Sequence, residues 1–328
     1  MKPCLLYVGT SDGLVVLRVR ADGRVDGVGH AAHGNAVRGI AVRPDDPRVA
    51  YVACGLRGWG LHRTRDAGGT SELVGFADLW VWDVLFDPRD PNTLWVGTEP
   101  PMVYVSYDEG RTFRALDGVE RLPSRPRWFF FYEPFRAGHV HGFALHSERP
   151  ERLFAGVEHG ALIYTHDGGA TWQEALVGHD LHRVAVDPLD PDRVLAGTGE
   201  GLFVSSDAGR SWDAVPYFSG RYVHGVVFSP HRPAQLFVYA ATEGNPLHRS
   251  EDRGTHWRPI GSGLPANGPA DPLAVHPEEP DVLFYAGEEP KGRGQLFVSA
   301  DGGGTWERVN FALPKVWRLR AAGEQEAQ

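Results

Sequence analysis

The chain has 328 residues and a formal net charge of −9, from 33 Lys and Arg against 42 Asp and Glu. This acidic balance argues against binding to nucleic acid or to an anionic membrane surface, because both need a basic face. Two cysteines cannot build a disulfide framework. The first residues hold an apolar run too short for a secretory signal, and no apolar stretch reaches the roughly 20 residues of a membrane span. We therefore expect a cytoplasmic protein.

Short apolar runs separated by turn residues follow one another from the N-terminus onward. Residues 5–10 and 14–19 form two such runs, with a weak third at 24–28. Six complete four-run repeats then begin near residues 37, 81, 140, 181, 223 and 271. In most of them the first two runs are joined by a proline-bounded turn, as at residues 184–191. Four short strands with turn residues between them, repeated, are typical of β-propeller blades.

The last apolar run, residues 316–320, supplies the strand that the N-terminal fragment lacks. We predict an all-β, seven-bladed β-propeller that forms a single domain over residues 1–328. Its composite blade combines residues 1–30 with residues 314–321. Closing this blade with both ends of the chain removes an open sheet edge.

A polar turn recurs between the third and fourth runs of the repeats, with the pattern Ser/Thr-x-Asp-x-Gly-x-Thr/Ser-Trp/Phe. Four copies match it well and two match weakly: residues 106–113, 165–172, 205–212 and 299–306, then 64–71 and 250–257. These turns resemble the Asp-box, or BNR, repeat of the sialidase-like superfamily. The resemblance implies a β-propeller whose Asp-boxes are structural turns on the face opposite the catalytic one. It does not imply an activity, because one fold carries many functions.

The first strand of each propeller blade lines the central channel, so the first residues of these strands should meet at one mouth. Blade by blade, these residues are Arg38, Trp82, His141, His182, His224, Asp271 and Trp317. Neutral imidazoles that converge on an axis suit a divalent transition metal such as Zn, Fe, Mn, Cu or Ni. The sequence therefore predicts three metal ligands, His141, His182 and His224.

Glutamates end the second strand of the same blades and should open on the same face. The three on the histidine blades are Glu158, Glu200 and Glu243. We expect them to orient the imidazoles and to serve in catalysis, with Asp271 as a fourth ligand or a base. Two other interpretations stay open: the histidines form a hydrogen-bonded plug in the channel, or they contact a ligand without a metal.

An aromatic insertion at residues 116–138 lengthens the connection that precedes His141. A long aromatic loop beside converging polar groups is typical of a lid or an apolar wall of a ligand site. We predict substrate contacts from this loop and from the ring: Arg38, Trp82, Trp128, Phe130, Tyr132 and Trp317. The insertion is equally suited to capping the propeller or to binding a protein partner.

The sequence is compatible with three functions. The first is a metal-dependent enzyme acting on a small, partly apolar molecule by hydrolysis, lyase chemistry or oxygenation. The second is a scaffold propeller that binds a protein, since chains of this kind also look like photosystem II assembly factors. The third is a glycoside hydrolase that uses ring glutamates. A sialidase is disfavoured, because only one arginine, Arg38, falls in the inner ring and Tyr222 lacks a glutamate partner in the sequence.

Overall fold

The computed structural model describes residues 1–129, 137–241, 245–265, 271–289 and 291–324. Within these ranges, seven four-stranded antiparallel sheets are arranged as the blades of a propeller. Blade 1 has the strand order β28-β1-β2-β3 and joins the two ends of the chain. Its strands are β1 (Cys4–Thr10), β2 (Gly13–Val19), β3 (Val25–Ala31) and β28 (Val316–Gly323).

The other six blades each take four consecutive strands, with the first strand innermost. Blades 2 to 4 consist of β4 (Val37–Val42), β5 (Ala50–Cys54), β6 (Leu61–Thr64), β7 (Glu72–Gly75), β8 (Trp80–Phe86), β9 (Leu94–Glu99), β10 (Met102–Ser106), β11 (Arg114–Ala115), β12 (His139–His146), β13 (Arg149–Glu158), β14 (Leu162–Thr165) and β15 (Gln173–Ala175). Blades 5 to 7 consist of β16 (Leu181–Asp187), β17 (Asp190–Thr198), β18 (Gly201–Ser205), β19 (Asp213–Ala214), β20 (Val223–Phe228), β21 (Leu236–Ala240), β22 (Leu247–Ser250), β23 (Arg258–Pro259), β24 (Leu273–Val275), β25 (Leu283–Glu288), β26 (Gly294–Ser299) and β27 (Glu307–Leu313).

The predicted seven-bladed propeller is therefore confirmed, including the blade that both chain ends close. In that blade, β28 pairs with β1 from Cys4↔Gly323 to Thr10↔Val316. The pairing covers the edge of β1, which a propeller open at this point would leave exposed. The two cysteines, Cys4 and Cys54, are buried and unpaired.

The core lies between the blades, and this position explains the apolar runs in the sequence. The second strands of several blades, β1, β5, β9 and β21, are buried at every residue because each is covered by a neighbouring blade on both faces. Close packing also requires small residues. A Cβ on Gly97 would lie 2.3 Å from the carbonyl oxygen of Val140 in the next blade, so only glycine fits there.

The Asp-boxes are hydrogen-bonded turns. In the copy centred on Asp167, the carboxylate accepts the Thr171 backbone N–H at 2.8 Å and the Thr171 hydroxyl at 2.6 Å. These bonds, with the Thr165 hydroxyl, hold the pKa of Asp167 at about 2. The weak copy at residues 250–257 closes in the same way, because the His256 ring replaces the missing hydroxyl and lies 2.6 Å from Asp252.

The aromatic insertion begins with two 3₁₀ helices, Asp117–Arg121 and Arg125–Arg127, and a third such helix spans Pro216–Phe218. No helix among the described residues has both the length and the apolar character needed to cross a membrane. The first part of the insertion packs Leu116, Val119 and other apolar side chains into the core between blades 3 and 4.

Candidate functional site

A β-bulge at the start of the innermost strand shapes the channel mouth, the end of the propeller where these strands begin. In five blades one residue of that strand is left out of the ladder. In blade 3, for example, Val81 pairs with Thr98 and Asp83 pairs with Gly97, so Trp82 is the extra residue. The extra residues are Arg38, Trp82, His182, His224 and Trp317. Bulges re-aim side chains and are frequent beside active sites.

These side chains, with two histidines of blade 4, form one continuous row around the mouth, which we call the ring. The Arg38 guanidinium lies between two indoles, 4.2 Å from the Trp317 ring centre and 4.7 Å from that of Trp82. Trp82 stacks on His139 with 3.4 Å between ring centres. The row continues with centre-to-centre distances of 5.3 Å, 6.3 Å and 5.0 Å along His139, His141, His182 and His224. The structure thus brings together the ring residues that the repeats indicated, except Asp271.

His139, rather than His141, is the most strongly held imidazole. It is fully buried, and its Nε2 lies 2.6 Å from Glu158 Oε2. Its Nδ1 lies 3.5 Å from Glu99 Oε2, which also accepts the Trp82 indole N–H at 3.1 Å. Burial alone would lower the pKa of His139 and raise that of Glu158, but their mutual attraction dominates. The pKa of His139 is raised and that of Glu158 lies well below its usual range, so both shifts favour the ionised pair.

Asp180 is a second centre of polar contacts at the mouth. Its Oδ2 accepts the Tyr222 hydroxyl at 2.6 Å and lies 3.2 Å from His182 Nε2. Asp180 Oδ1 and His182 Nε2 are buried and make no hydrogen bond of good geometry. Burial raises the pKa of Asp180, but the neighbouring His182 outweighs it and the net shift is downward.

Two sets of three side chains at the mouth bring their ligand atoms within 4.8 Å of one another, and Glu158 is common to both. The sets are His139, His141 and Glu158, and Glu158, Asp180 and His182. Among the described residues, no set of this kind contains His182 together with either of the other two predicted ligands, His141 and His224.

The other two predicted ligands, His141 and His224, are not placed to bind a metal together with His182. His141 Nε2 lies 2.9 Å from the Leu181 carbonyl oxygen, so this nitrogen carries the proton. His224 stands beside His182, and its Nδ1 is buried without a hydrogen-bond partner. Burial lowers the pKa of both His141 and His224 to about 3, so both imidazoles are neutral at pH 7.

The expectation that Asp271 acts as a base or fourth ligand is wrong. Its carboxylate is buried and lies 2.7 Å from Arg320, 3.5 Å from Arg183 and 3.7 Å from Arg318. Burial would raise its pKa, but the three arginines hold it far below the usual range. A carboxylate that stays ionised among three guanidinium groups has no tendency to take up a proton.

Asp271 belongs to a charged network deeper in the channel, which the sequence reasoning missed. The network contains two carboxylates and three guanidinium groups: Asp83, Asp271, Arg183, Arg318 and Arg320. Three of these residues directly follow a bulged ring residue. The bulge lets two consecutive side chains reach the channel, one at the mouth and one below it, so strict alternation along the strand could not have identified the second.

The remaining predicted site residues lie elsewhere. Trp128 is wrong as a substrate contact, because it packs in the core and its indole N–H donates to Ser124 Oγ at 2.7 Å. Glu200 does not orient His182; it is exposed at the rim, 3.0 Å from His179 Nδ1. Three further predicted residues lie outside the described part of the chain: Phe130, Tyr132 and Glu243. His139 and Asp180 were within reach of sequence reasoning, since each lies two residues before a ring histidine.

Comparisons with known proteins agree with this architecture. The family model of sortilin, neurotensin receptor 3 (Sortilin-Vps10) matches residues 200–326, and the BNR/Asp-box repeat model matches residues 163–174. An oligoxyloglucan-reducing end-specific xyloglucanase of Emericella nidulans is 24% identical over 216 residues, which cover 56% of this chain and 24% of that enzyme. The chain thus matches only about a quarter of that relative's length.

Two solved structures share the fold. The GH74 enzyme of Niastella koreensis superposes with a TM-score of 0.58 at 16% identity, covering 95% of this chain and 58% of the other. YCF48 bound to D1 peptide gives a TM-score of 0.56 at 18% identity, covering 84% of this chain and 82% of the other. Together with the six Asp-box turns and the seven closed blades, these matches identify the chain as a BNR/Asp-box repeat β-propeller.

Proposed function

We propose that the channel mouth binds one divalent transition-metal ion through Glu158, Asp180 and His182, and that the protein is a metal-dependent enzyme. The observation that carries this proposal is the convergence of two carboxylates and an imidazole within 4.8 Å in a largely buried site. Two of the facing atoms are buried and make no hydrogen bond of good geometry: Asp180 Oδ1 lies 3.7 Å from His159 Nε2, and His182 Nε2 lies 3.2 Å from Asp180 Oδ2. Unsatisfied polar atoms of this kind are costly, and a cation between them would remove that cost.

The surroundings of this set are those of a supported metal site. The Tyr222 hydroxyl donates to Asp180, and His139 Nε2 donates to Glu158, so each carboxylate is held in place by a hydrogen bond. Such second contacts orient ligands and tune the metal. Mixed carboxylate and imidazole donors suit Zn, Fe, Mn or Ni, and three protein ligands leave positions for water and substrate. The ion would polarise a substrate oxygen or lower the pKa of bound water, and its identity decides between hydrolysis, lyase chemistry and oxygenation.

The opposite side of the ring supplies the substrate contacts in this proposal. Arg38 Nη1 and Trp317 Nε1 are buried donors without acceptors, and Arg38 has no ion pair among the described residues. Burial lowers the pKa of Arg38 to about 10, and the attraction of Glu158 offsets this only in part. A small molecule with a polar oxygen at one end and an apolar body would satisfy these donors. Its other end would then reach the metal ligands beyond His139.

Elemental analysis of tag-free protein, dialysed against Zn²⁺ or Mn²⁺ and then washed, tests the metal proposal. We expect Asp180→Asn and His182→Ala each to hold one equivalent of metal less than the wild type. His179→Gln is the matched control, since it changes a half-buried histidine that pairs with a carboxylate on the same face. Equal metal content in wild type, Asp180→Asn and His182→Ala would overturn the proposal. For the enzyme proposal, turnover by the loaded protein should disappear with EDTA and in Asp180→Asn.

A protein-binding function is the second candidate, and the match to the sortilin family model over residues 200–326 favours it. The fold shared with YCF48, solved with a D1 peptide, adds support. Exposed aromatic side chains of the mouth rim, Trp59 and Phe129, offer contact area for a partner, with the described part of the insertion beside Phe129. Selection of peptides against the wild type tests this candidate. Selected peptides should bind a Trp59→Ser, Phe129→Ser variant at least about tenfold more weakly, because buried aromatic anchors dominate interfaces.

A glycosidase using ring glutamates receives less support, although a relative is a xyloglucanase. Such an enzyme needs one carboxylic acid that stays protonated near neutral pH. Glu158 and Asp180 have lowered pKa values, Glu158 through His139 and Asp180 through His182, so both are ionised instead. Release of aryl alcohol from a panel of aryl glycosides, lost in Glu158→Gln, would revive this candidate.

A further inference from the structure

A second group of metal-ligating side chains lies outside the channel, on blade 1. Asp12 sits in the turn between β1 and β2, and His30 and His33 flank the end of β3. All three are exposed, and their ligand atoms lie within 4.8 Å of one another. The two imidazole centres are only 3.9 Å apart. The turn belongs to the mouth end of the propeller, because Thr10 pairs with Val316 at the start of the innermost strand.

Hydrogen bonds leave these side chains ready to bind a cation. His30 Nε2 lies 2.6 Å from the Asp12 carbonyl oxygen, and since a carbonyl only accepts, this nitrogen carries the proton. The lone pair of His30 is therefore on Nδ1. One carboxylate oxygen, Asp12 Oδ1, accepts the Gly34 backbone N–H at 2.9 Å, which fixes the orientation of the group. Histidine ligands in metal sites commonly donate their second ring nitrogen to a carbonyl or carboxylate in this way.

The backbone that presents the two histidines is strained at one residue and held by its neighbours. Ala32, between them, has a φ of 52°, in the left-handed region that alanine seldom adopts. The Ala32 backbone N–H donates to the Ser71 hydroxyl oxygen at 3.0 Å. The Asn35 side chain donates to the carbonyl oxygens of Ala32 and His33 at 3.0 and 3.1 Å. The surrounding contacts thus keep a conformation that costs energy, and that conformation keeps the two imidazoles adjacent.

We propose that Asp12, His30 and His33 form a surface site for one divalent transition-metal ion, separate from the ion proposed at the channel mouth. Two imidazoles and one carboxylate supply two nitrogen donors and one oxygen donor, a set that favours Cu²⁺, Ni²⁺ or Zn²⁺ over Ca²⁺ or Mg²⁺. Exposure leaves the other coordination positions to water. The site binds the ion without needing any movement of the channel residues.

Two probes test this site on the full-length, tag-free protein: Zn²⁺ binding by calorimetry and Cu²⁺ binding by electron paramagnetic resonance. The protein carries Asp180→Asn and His182→Ala, so that the mouth site does not contribute. We expect one equivalent of each ion and a Cu²⁺ spectrum with two coupled imidazole nitrogens. Adding either His30→Gln or His33→Gln should weaken Zn²⁺ binding by at least about tenfold, the range found when metal-site contacts are removed.

The control is His256→Gln in the same background. His256 is an exposed histidine 2.6 Å from the Asp252 carboxylate, so it offers an imidazole beside a carboxylate without a second imidazole. Equal loss of affinity in His256→Gln and His30→Gln would overturn the proposal, because binding would then be a general property of exposed histidines. A Cu²⁺ spectrum with a single nitrogen, or no Zn²⁺ binding by the double-variant background, would also overturn it. None of these three results bears on the mouth site, which that background has lost.

Discussion

Replacing Asp83 by asparagine removes one of the two negative charges that balance three guanidinium groups in the channel. Asp83 is buried and accepts from Arg318 at 2.9 Å, Arg183 at 3.2 Å and the Gly142 backbone N–H at 2.8 Å. Burial alone would raise the pKa of Asp83, but Arg318 and Arg183 hold it below the usual range. Asparagine keeps the volume but replaces one of the two acceptor oxygens by an NH₂ group, so the change removes the charge and leaves the donors on that side without an acceptor.

The expected loss follows from the charges that remain. With Asp83 neutral, Asp271 alone faces three arginines, and breaking a buried ion pair by removing one partner typically costs about 3–5 kcal/mol. Unfolding entropy of about 2.1 cal/mol/K per residue implies that this loss lowers the melting temperature by about 4–7 °C for a chain of 328 residues. Arg318→Met should cost less, because it leaves two carboxylates balanced by two guanidinium groups.

Chemical denaturation followed by tryptophan fluorescence measures these differences in the free energy of unfolding. The control is Asp281→Asn, which breaks an exposed ion pair with Arg232 and should cost at most about 1 kcal/mol. In the double variant, the losses from Asp83→Asn and Arg318→Met should sum to more than the observed loss. Two results would contradict this charge balance: a loss for Asp83→Asn no larger than that of the control, or a larger loss for Arg318→Met than for Asp83→Asn.

Two further predictions concern pH and packing. Burial, then Arg221, lowers the pKa of His248 to about 4, whereas an unfolded histidine titrates near about 6.5. The unfolded chain therefore takes up this proton first as the pH falls, so the free energy of unfolding should decrease between about pH 6.5 and pH 4. Over that range the wild type should lose more stability than His248→Gln, and equal losses would contradict this assignment. Gly97→Ala should lower the free energy of unfolding by about 3 kcal/mol, because the new Cβ would lie 2.3 Å from the Val140 carbonyl oxygen. Gly27→Ala should cost less, because its Cβ would meet only the Phe311 ring at 3.3 Å, and equal denaturation midpoints for the two variants would contradict this expectation.

The fold was predictable because each blade repeats the same local sequence pattern. Apolar runs, proline-bounded turns and Asp-boxes recur, so even the poorly matching box at Asp252 could be placed by its spacing. The composite blade followed from counting strands, since the N-terminal fragment lacked one strand and the C-terminal run supplied it. The ring was predictable for the same reason: equivalent positions in repeated blades converge on one axis.

The pairings within the site were not predictable from repeat positions. The bulge allows consecutive residues such as Trp82 and Asp83 to enter the channel together, which a strict two-residue alternation excludes. His139 lies directly opposite Glu158 in the strand pair, so the glutamate hydrogen-bonds with His139 rather than with His141. Asp271 lies near the axis, but its neighbours are arginines contributed by other blades. Contacts between blades depend on side-chain reach, which the repeat pattern does not encode.

We propose that Glu158, Asp180 and His182 hold one metal ion at the channel mouth. A crystal structure of the tag-free protein loaded with Zn²⁺ or Mn²⁺, with anomalous diffraction recorded at the absorption edge of the metal, locates the ion. We expect an anomalous peak within about 2.0–2.2 Å of Asp180 Oδ1, His182 Nε2 and a Glu158 oxygen when Zn²⁺ is bound. A metal-loaded crystal without an anomalous peak at these atoms would contradict the proposal.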